Sequence, residues 1–213
     1  MFRDRKDAGQ QLVRALEEFR GCNPLVLAIP RGGVPVGLEI AAALDGVFSL
    51  LVTRKLPFPD NPESGFGAIA EDGSAYIFPE ASGWLPADTI AEIKAEQQQE
   101  ITRRISVLRD NRPLPEIRGS TVILVDDGIA MGSTMRASLR MCRARGASKV
   151  VVAAPVAGEE VRNALEAGSD RVVVLESPAH FYAVAQVYEN WYDLNDEEVK
   201  KLIDSWRRSR RHE

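Results

Sequence analysis

The chain has 213 residues, 45% of them apolar and 27% charged, with a formal net charge of −4. That profile suits one globular α/β domain, because single cores usually reach about 100–250 residues before splitting, and it argues against wholesale disorder. It also gives no general drive toward nucleic acid or an anionic membrane, since both need clustered Lys and Arg; any anion site must be local. No apolar stretch approaches the ~20 residues of a membrane span, and the opening Met1-Phe2-Arg3-Asp4-Arg5-Lys6-Asp7 has no apolar core behind its charges, so no anchor or secretory signal is expected. A cytoplasmic location is the expectation. Cys22 and Cys142 stand in no metal or redox spacing and read as reduced structural thiols.

In chain order, Ala8, Leu12, Ala15, Leu16 and Phe19 recur at three- and four-residue spacing and predict an amphipathic helix over 7–20, ended by Gly21. Residues 25–29 form a short apolar run between Pro24 and Pro30, as for a strand buried on both faces, and run into Arg31-Gly32-Gly33. A helix over 34–44 and a buried strand over 47–53 complete one βαβ unit. Residues 54–64 carry Pro57, Pro59, Asn61 and Pro62, which predicts a long surface loop, and loops of that length are usually functional. Asp72-Gly73 between 66–71 and 75–78 predicts a hairpin.

The longest helix is expected over 86–110, its apolar stripe interrupted by Gln97, Gln98 and Gln99 and closed by Pro113 and Pro115. Strand 121–125, helix 133–145, strand 149–154, helix 159–167 and strand 171–175 follow. Strands alternating with helices predict a doubly wound parallel sheet with helices on both faces. Residues 181–206 read as helical, with Asn195 as a cap ahead of Asp196, Glu197 and Glu198. The terminal run Arg207, Arg208, Arg210 and Arg211 reads as a frayed, solvated helix end and not as a nucleic-acid tail.

The chemistry concentrates where Val122-Ile123-Leu124-Val125 runs into Asp126-Asp127-Gly128-Ile129-Ala130-Met131-Gly132-Ser133-Thr134. In open α/β sheets ligands bind outside the carboxyl ends of strands, and this is such an end. Small residues and glycines let the backbone curl, so that its N–H groups and the positive end of the next helix cradle a phosphate, with Ser133 and Thr134 hydroxyls as further donors. Asp126 and Asp127 can accept sugar hydroxyls and help hold Mg²⁺, which prefers one or two carboxylates plus substrate oxygens. Alone, an Asp-Asp pair is a solvated strand end. The whole string describes a ribose 5-phosphate site. A nucleotide P-loop is excluded, because its lysine is absent.

This string resembles the signature of type I phosphoribosyltransferases, which bind phosphoribosyl pyrophosphate (PRPP), although Met131 stands where the family usually has a hydroxyl residue. Pro30-Arg31-Gly32-Gly33 resembles that family's pyrophosphate loop, and Arg54-Lys55 its basic pair on the pyrophosphate. Residues 54–78 occupy the position of its flexible closing loop, and 176–213 that of a small helical hood. The chain is most similar to a bacterial group that shares the opening Phe-Arg-Asp-Arg and a Phe-Tyr-Ala-Val segment near the end. Around Ser177-Pro178-Ala179-His180-Phe181, Phe181 resembles the ring that stacks on the base in purine salvage enzymes, with core packing as the equal alternative. His180 reads as a surface residue, and Tyr188, Trp191 and Tyr192 as packing.

The resemblance implies displacement of pyrophosphate from C1 of PRPP by a nitrogenous acceptor, with Mg²⁺, in a homodimer. Arg31, Gly32, Gly33, Arg54 and Lys55 would serve the pyrophosphate, Asp126 and Asp127 the ribose, and Gly128 through Thr134 the 5-phosphate. Two rivals stay open: a PRPP-binding regulator without transferase activity, and a hydrolase or phosphatase of a related sugar phosphate.

Overall fold

The computed structural model describes residues 1–210; Arg211 of the basic run and His212 lie outside them. Helix α1 (Arg5–Ala15) opens the chain, capped by the Asp4 side chain on the Asp7 amide. Strand β1 (Leu25–Ala28), helix α2 (Gly33–Leu44) and strand β2 (Val47–Leu50) follow. Strands β3 (Thr53–Phe58), β4 (Asn61–Ala70) and β5 (Ala75–Ile77) form the insertion, and helix α3 (Ala87–Arg109) returns from it. The remainder alternates as β6 (Thr121–Val125), α4 (Ser133–Ala144), β7 (Lys149–Val156), α5 (Glu159–Glu166), β8 (Arg171–Glu176) and α6 (Asp196–Ser209).

Five strands make one parallel sheet in the order β2-β1-β6-β7-β8. Successive side chains of a strand point to opposite faces. Leu25, Leu27, Val122 and Leu124 therefore pack with Met135, Leu139 and Cys142 of α4 on one face, and Val26, Ile123 and Val125 with Leu12 of α1, Leu16 just after it, and Val36 and Ile40 of α2 on the other. Burying each such aliphatic chain contributes roughly 1.5–3 kcal/mol, which is why the central strands read as unbroken apolar runs. Burial pushes the Cys142 thiol up to about 12 and makes it inert, whereas Cys22 is exposed, so only one of the two thiols is structural.

Residues 54–64 are not a loop. They hold most of β3 and the start of β4 in a ribbon where these two strands pair antiparallel, and β5 adds a third strand across the Asp72-Gly73 turn. The prolines are tolerated because Pro57 lies on the outer strand at a register shift, and Pro62 precedes the stretch where β4 meets β5. The ribbon is rooted by a buried ion pair: Arg109 Nη2 lies 2.8 Å from Glu71 Oε1, Arg109 Nη1 donates to the Leu50 carbonyl, and Glu71 Oε2 accepts from the Val52 amide.

The expected helix over 181–206 is also corrected. Only Val184–Val187 forms a short 3-10 turn before α6, whose Asn195 cap is as predicted. The backbone between them bonds to the N-terminal segment instead, with Phe2 N–H on the Val187 carbonyl and the Glu189 and Asn190 amides on the Phe2 and Arg3 carbonyls. The terminal arginines are not simply frayed: Arg207 pairs with Asp110 at 2.9 Å and Arg210 with Asp45 at 2.7 Å.

Candidate functional site

Because β1 and β6 are neighbours in register, with Ala28 opposite Val125, the chain leaves both strands side by side. The turn after β1, which includes a cis peptide between Pro30 and Arg31, lies directly against the acid pair after β6. The approach is close enough to require glycine: a Cβ on Gly32 would sit 1.9 Å from Asp127 Oδ2. Gly33 begins α2 immediately behind it.

The two acids have different surroundings. Asp127 is buried, and its Oδ2 accepts from Arg5 Nε at 2.7 Å. Arg5 donates again to the Tyr192 carbonyl at 2.8 Å, and its guanidinium lies 3.9 Å from the Trp191 ring centroid. Tyr188 Oη donates to the Asp127 carbonyl at 2.7 Å, and burial raises that phenol's pKa. Asp127 thus ties the N-terminal helix and the segment before α6 to the turn after β1. Asp126 is half-buried, and its Oδ1 accepts the Asp127 amide at 2.9 Å. Burial first, and the neighbouring Asp127 charge second, push its carboxyl well above the usual range.

Beyond the acids, Gly128 lies under Val184 and Val156. Ile129 turns into the core and gives its N–H to the Val156 carbonyl at 2.8 Å, so that donor is spent. Ala130 and Met131 are exposed, Met131 at 65%. Gly132 has φ +74°, a left-handed conformation that a side chain would strain. No side chain caps α4, whose first backbone bond runs from the Arg136 amide to the Gly132 carbonyl at 2.9 Å. The amides of Ser133, Thr134 and Met135 are the orphan donors of a helix N-terminus, the arrangement that suits a phosphate.

Arg54 and Lys55 point to opposite faces of β3. Arg54 donates to Gln97 of α3 at 3.1 Å and lies within charge reach of Arg31. Lys55 donates to the Glu63 carbonyl and instead lines a cavity of about 500 Å³ with Phe58, Phe78, Trp84, Met131 and Ser133. The structure therefore brings Arg31, Arg54 and the acid pair to one end, and Lys55 to the phosphate-loop end. Phe181 is half-buried beside Gly158, near Ala130 but in a separate cleft from Asp127, and it packs against the buried cluster of Phe2, Val156, Val187 and Tyr188. The cleft at Asp127, about 250 Å³, is lined by Arg5, Arg31, Gly32, Val184, Trp191 and Asp193.

Sequence reasoning did not assign Arg5, Tyr188 or Trp191 to this site, nor Arg103, Arg104 and Asp196 beside Arg31. The shared Phe-Arg-Asp-Arg opening was the available signal for Arg5. Phe2 packs on Tyr188 and Arg5 on Asp127, so the opening is part of the site's frame.

A parallel sheet with an acid pair and an uncapped helix N-terminus at one strand end, facing a glycine turn at the next, has the form of a ligand-binding end of an open α/β protein. The phosphoribosyl transferase domain model matches residues 4–190, and the chain belongs to that family. It is 39% identical over 206 residues to the Mycobacterium tuberculosis protein named "Putative phosphoribosyl transferase Rv0571c", covering 96% of this chain and 46% of that protein, so it spans about half the length of that relative. The crystal structure of TT1426 from Thermus thermophilus superposes with a TM-score of 0.82 at 37% identity, covering 97% of this chain and 99% of that one. No helix among the described residues is long and apolar enough to cross a membrane.

Proposed function

We propose that the chain is a PRPP-dependent phosphoribosyltransferase that moves ribose 5-phosphate to a nitrogenous acceptor and releases pyrophosphate. The observation that carries this is the juxtaposition of three elements at adjacent strand ends: the uncapped start of α4, the half-buried Asp126, and the Arg31-Gly32 turn. The amides of the α4 first turn, with Ser133 and Thr134, hold the 5-phosphate. Asp126 accepts the ribose hydroxyls, while Asp127 keeps the turn and Arg5 in place. Arg31 and Arg54 stabilise the departing pyrophosphate. Such positioning and fixed charge are what an oxocarbenium-like displacement asks of a protein.

Mg²⁺ fits this donor set. Among the described residues no cluster of three or more His, Cys, Asp or Glu side chains could hold an ion alone. Asp126 is one carboxylate beside the diphosphate position, and Mg²⁺ commonly takes one or two carboxylates with the rest of its shell from substrate oxygens and water. Bound there it would offset charge on the diphosphate.

The acceptor meets C1 in the cleft at Asp127, where Trp191 and Val184 supply the apolar wall. Phe181, in its separate cleft, serves as packing. Incubation with PRPP, Mg²⁺ and a panel of bases, followed for pyrophosphate and for ribose 5-phosphate, tests the reading. Base-dependent pyrophosphate release is expected. PRPP binding with no release under any base makes the chain a PRPP-responsive regulator, and ribose 5-phosphate formation without a base makes it a hydrolase.

A further inference from the structure

The longest helix meets the turn after β1 through an arginine cluster that the family motif does not contain. Gln97, Glu100, Arg103 and Arg104 lie at three- and four-residue spacings along α3, so they share a face. Arg54 of β3 donates to Gln97 Oε1 at 3.1 Å. Arg104 Nε lies 3.1 Å from Glu100 Oε1, and Arg103 Nε 2.7 Å from Glu100 Oε2. Both arginines hold the Glu100 carboxyl down at about 2. Asp196, the first residue of α6, then links the helix to the turn, with Oδ1 at 3.5 Å from Arg31 Nη1 and Oδ2 at 3.8 Å from Arg103 Nη2.

Within this cluster four guanidinium groups meet two carboxylates, Glu100 and Asp196, while Arg31 also lines the cleft with Asp127 and Asp193. Arg54 registers this: burial first, and then the charges of Arg104, Arg103 and Arg31, lower its pKa, with Glu100 only partly offsetting them. The Asp196 contacts are also poor for charged partners, which pair at about 2.7–2.9 Å when well matched. Its Oδ1 is buried and makes no hydrogen bond. Arginines gathered from a turn, a strand and a helix, repelling one another and loosely matched by one carboxylate, have the composition of a site for a compact polyanion.

We propose that Arg103 and Arg104 of α3 complete a diphosphate subsite with Arg31 and Arg54, and that Asp196 competes with the diphosphate for Arg31 and Arg103. This deepens the transferase reading and rests on it for the placement of the donor's pyrophosphate. Diphosphate oxygens match the guanidinium forks better than Asp196 does, so binding exchanges two long contacts for short ones. The start of α6 is thereby coupled to occupancy of the turn after β1.

The test separates the two ends of the donor. Inorganic pyrophosphate, ribose 5-phosphate and PRPP are titrated calorimetrically and separately, each with millimolar Mg²⁺, into the wild-type chain, and the first two also into Arg104→Gln and Asp196→Asn, with melting measured alongside. Arg104→Gln is expected to weaken pyrophosphate about tenfold or more, and Asp196→Asn to tighten it several-fold, both leaving ribose 5-phosphate unchanged. Arg103→Gln replaces Arg104→Gln if the latter melts early. Unchanged pyrophosphate affinity in the arginine variant, equal weakening of both ligands, or no tightening in Asp196→Asn overturns the proposal. If the wild-type chain binds ribose 5-phosphate and PRPP but the variants behave alike, only the subsite fails. If it binds neither PRPP nor ribose 5-phosphate, the transferase reading fails first.

Discussion

Between Asp126 and Met135 the loop after β6 has no basic side chain, while the other end of the site gathers Arg31, Arg54, Arg103 and Arg104 from a turn, a strand and a helix. In the proposed reading the first end would hold negative charge with backbone donors at the start of α4, with Lys55 of β3 nearby. The second would do so with long side chains that repel one another. A backbone cradle has fixed geometry and little to reorganise, so it suits a group that stays bound throughout a reaction. Flexible guanidiniums suit a group that arrives attached and departs free.

The largest expected effect lies between the two ends. Arg5→Met leaves Asp127 buried without its partner, and breaking a buried pair from one side costs about 3–5 kcal/mol. Denaturant unfolding should show that loss, and Arg5→Met/Asp127→Asn should recover part of it. A variant as stable as wild type would mean that the two ends are not joined through Asp127.

Gly132→Ala should come next. It forces a side chain into a left-handed conformation, costing roughly 1–2 kcal/mol, and its Cβ would lie 2.8 Å from Val161. The cradle should distort, so ribose 5-phosphate affinity falls about tenfold or more while pyrophosphate affinity holds. An equal fall in both would dissolve the distinction between the ends.

Asp126→Asn removes a charged acceptor worth about 1.5–3 kcal/mol where geometry is good. PRPP affinity with Mg²⁺ should drop with no fall in melting temperature, because burial and the neighbouring Asp127 charge already oppose the charged form of this carboxyl in the folded state. Titration calorimetry and a melting curve on one preparation decide it.

The smallest effect is expected for Met131→Thr. Met131 is 65% exposed, so no packing is lost and melting should not move. A hydroxyl at the lip of the cradle should lower the PRPP dissociation constant several-fold. Weaker binding would show that the thioether, which lines the aromatic cavity with Trp84 and Phe58, contributes to the ligand site itself.

The cradle was legible in the sequence because its parts are consecutive: an apolar strand, two acids, small residues and a helix start. The five-strand sheet was legible for the same local reason, and Asn195 announced α6 by its cap. The arginine end was not, because Arg103 and Arg104 read as an ordinary solvated helix face until β3 and α6 are packed against it. Proline count misrepresented residues 54–64, since an outer strand with register shifts accommodates residues that a central strand rejects. The helical reading of 181–206 missed the stretch before α6, where residues 187, 189 and 190 bond to residues 2 and 3 and not within a helix.

The buried pair at the root of the ribbon has a mechanical consequence. One carboxylate, Glu71, holds the end of the longest helix through Arg109 and the chain leaving the sheet through the Val52 amide. A hinge at that point would have to break the buried pair and the Val52 bond together, at a cost of about 3–5 kcal/mol for the pair alone. The compliant points are further out, at the register shifts between Leu56 and Phe58, where the ladder is already irregular. The ribbon is a cantilever: its tip beyond Leu56 can bend while its base keeps pace with the sheet, and amide exchange should grade along it, slowest at Val52 and fastest toward Asn61.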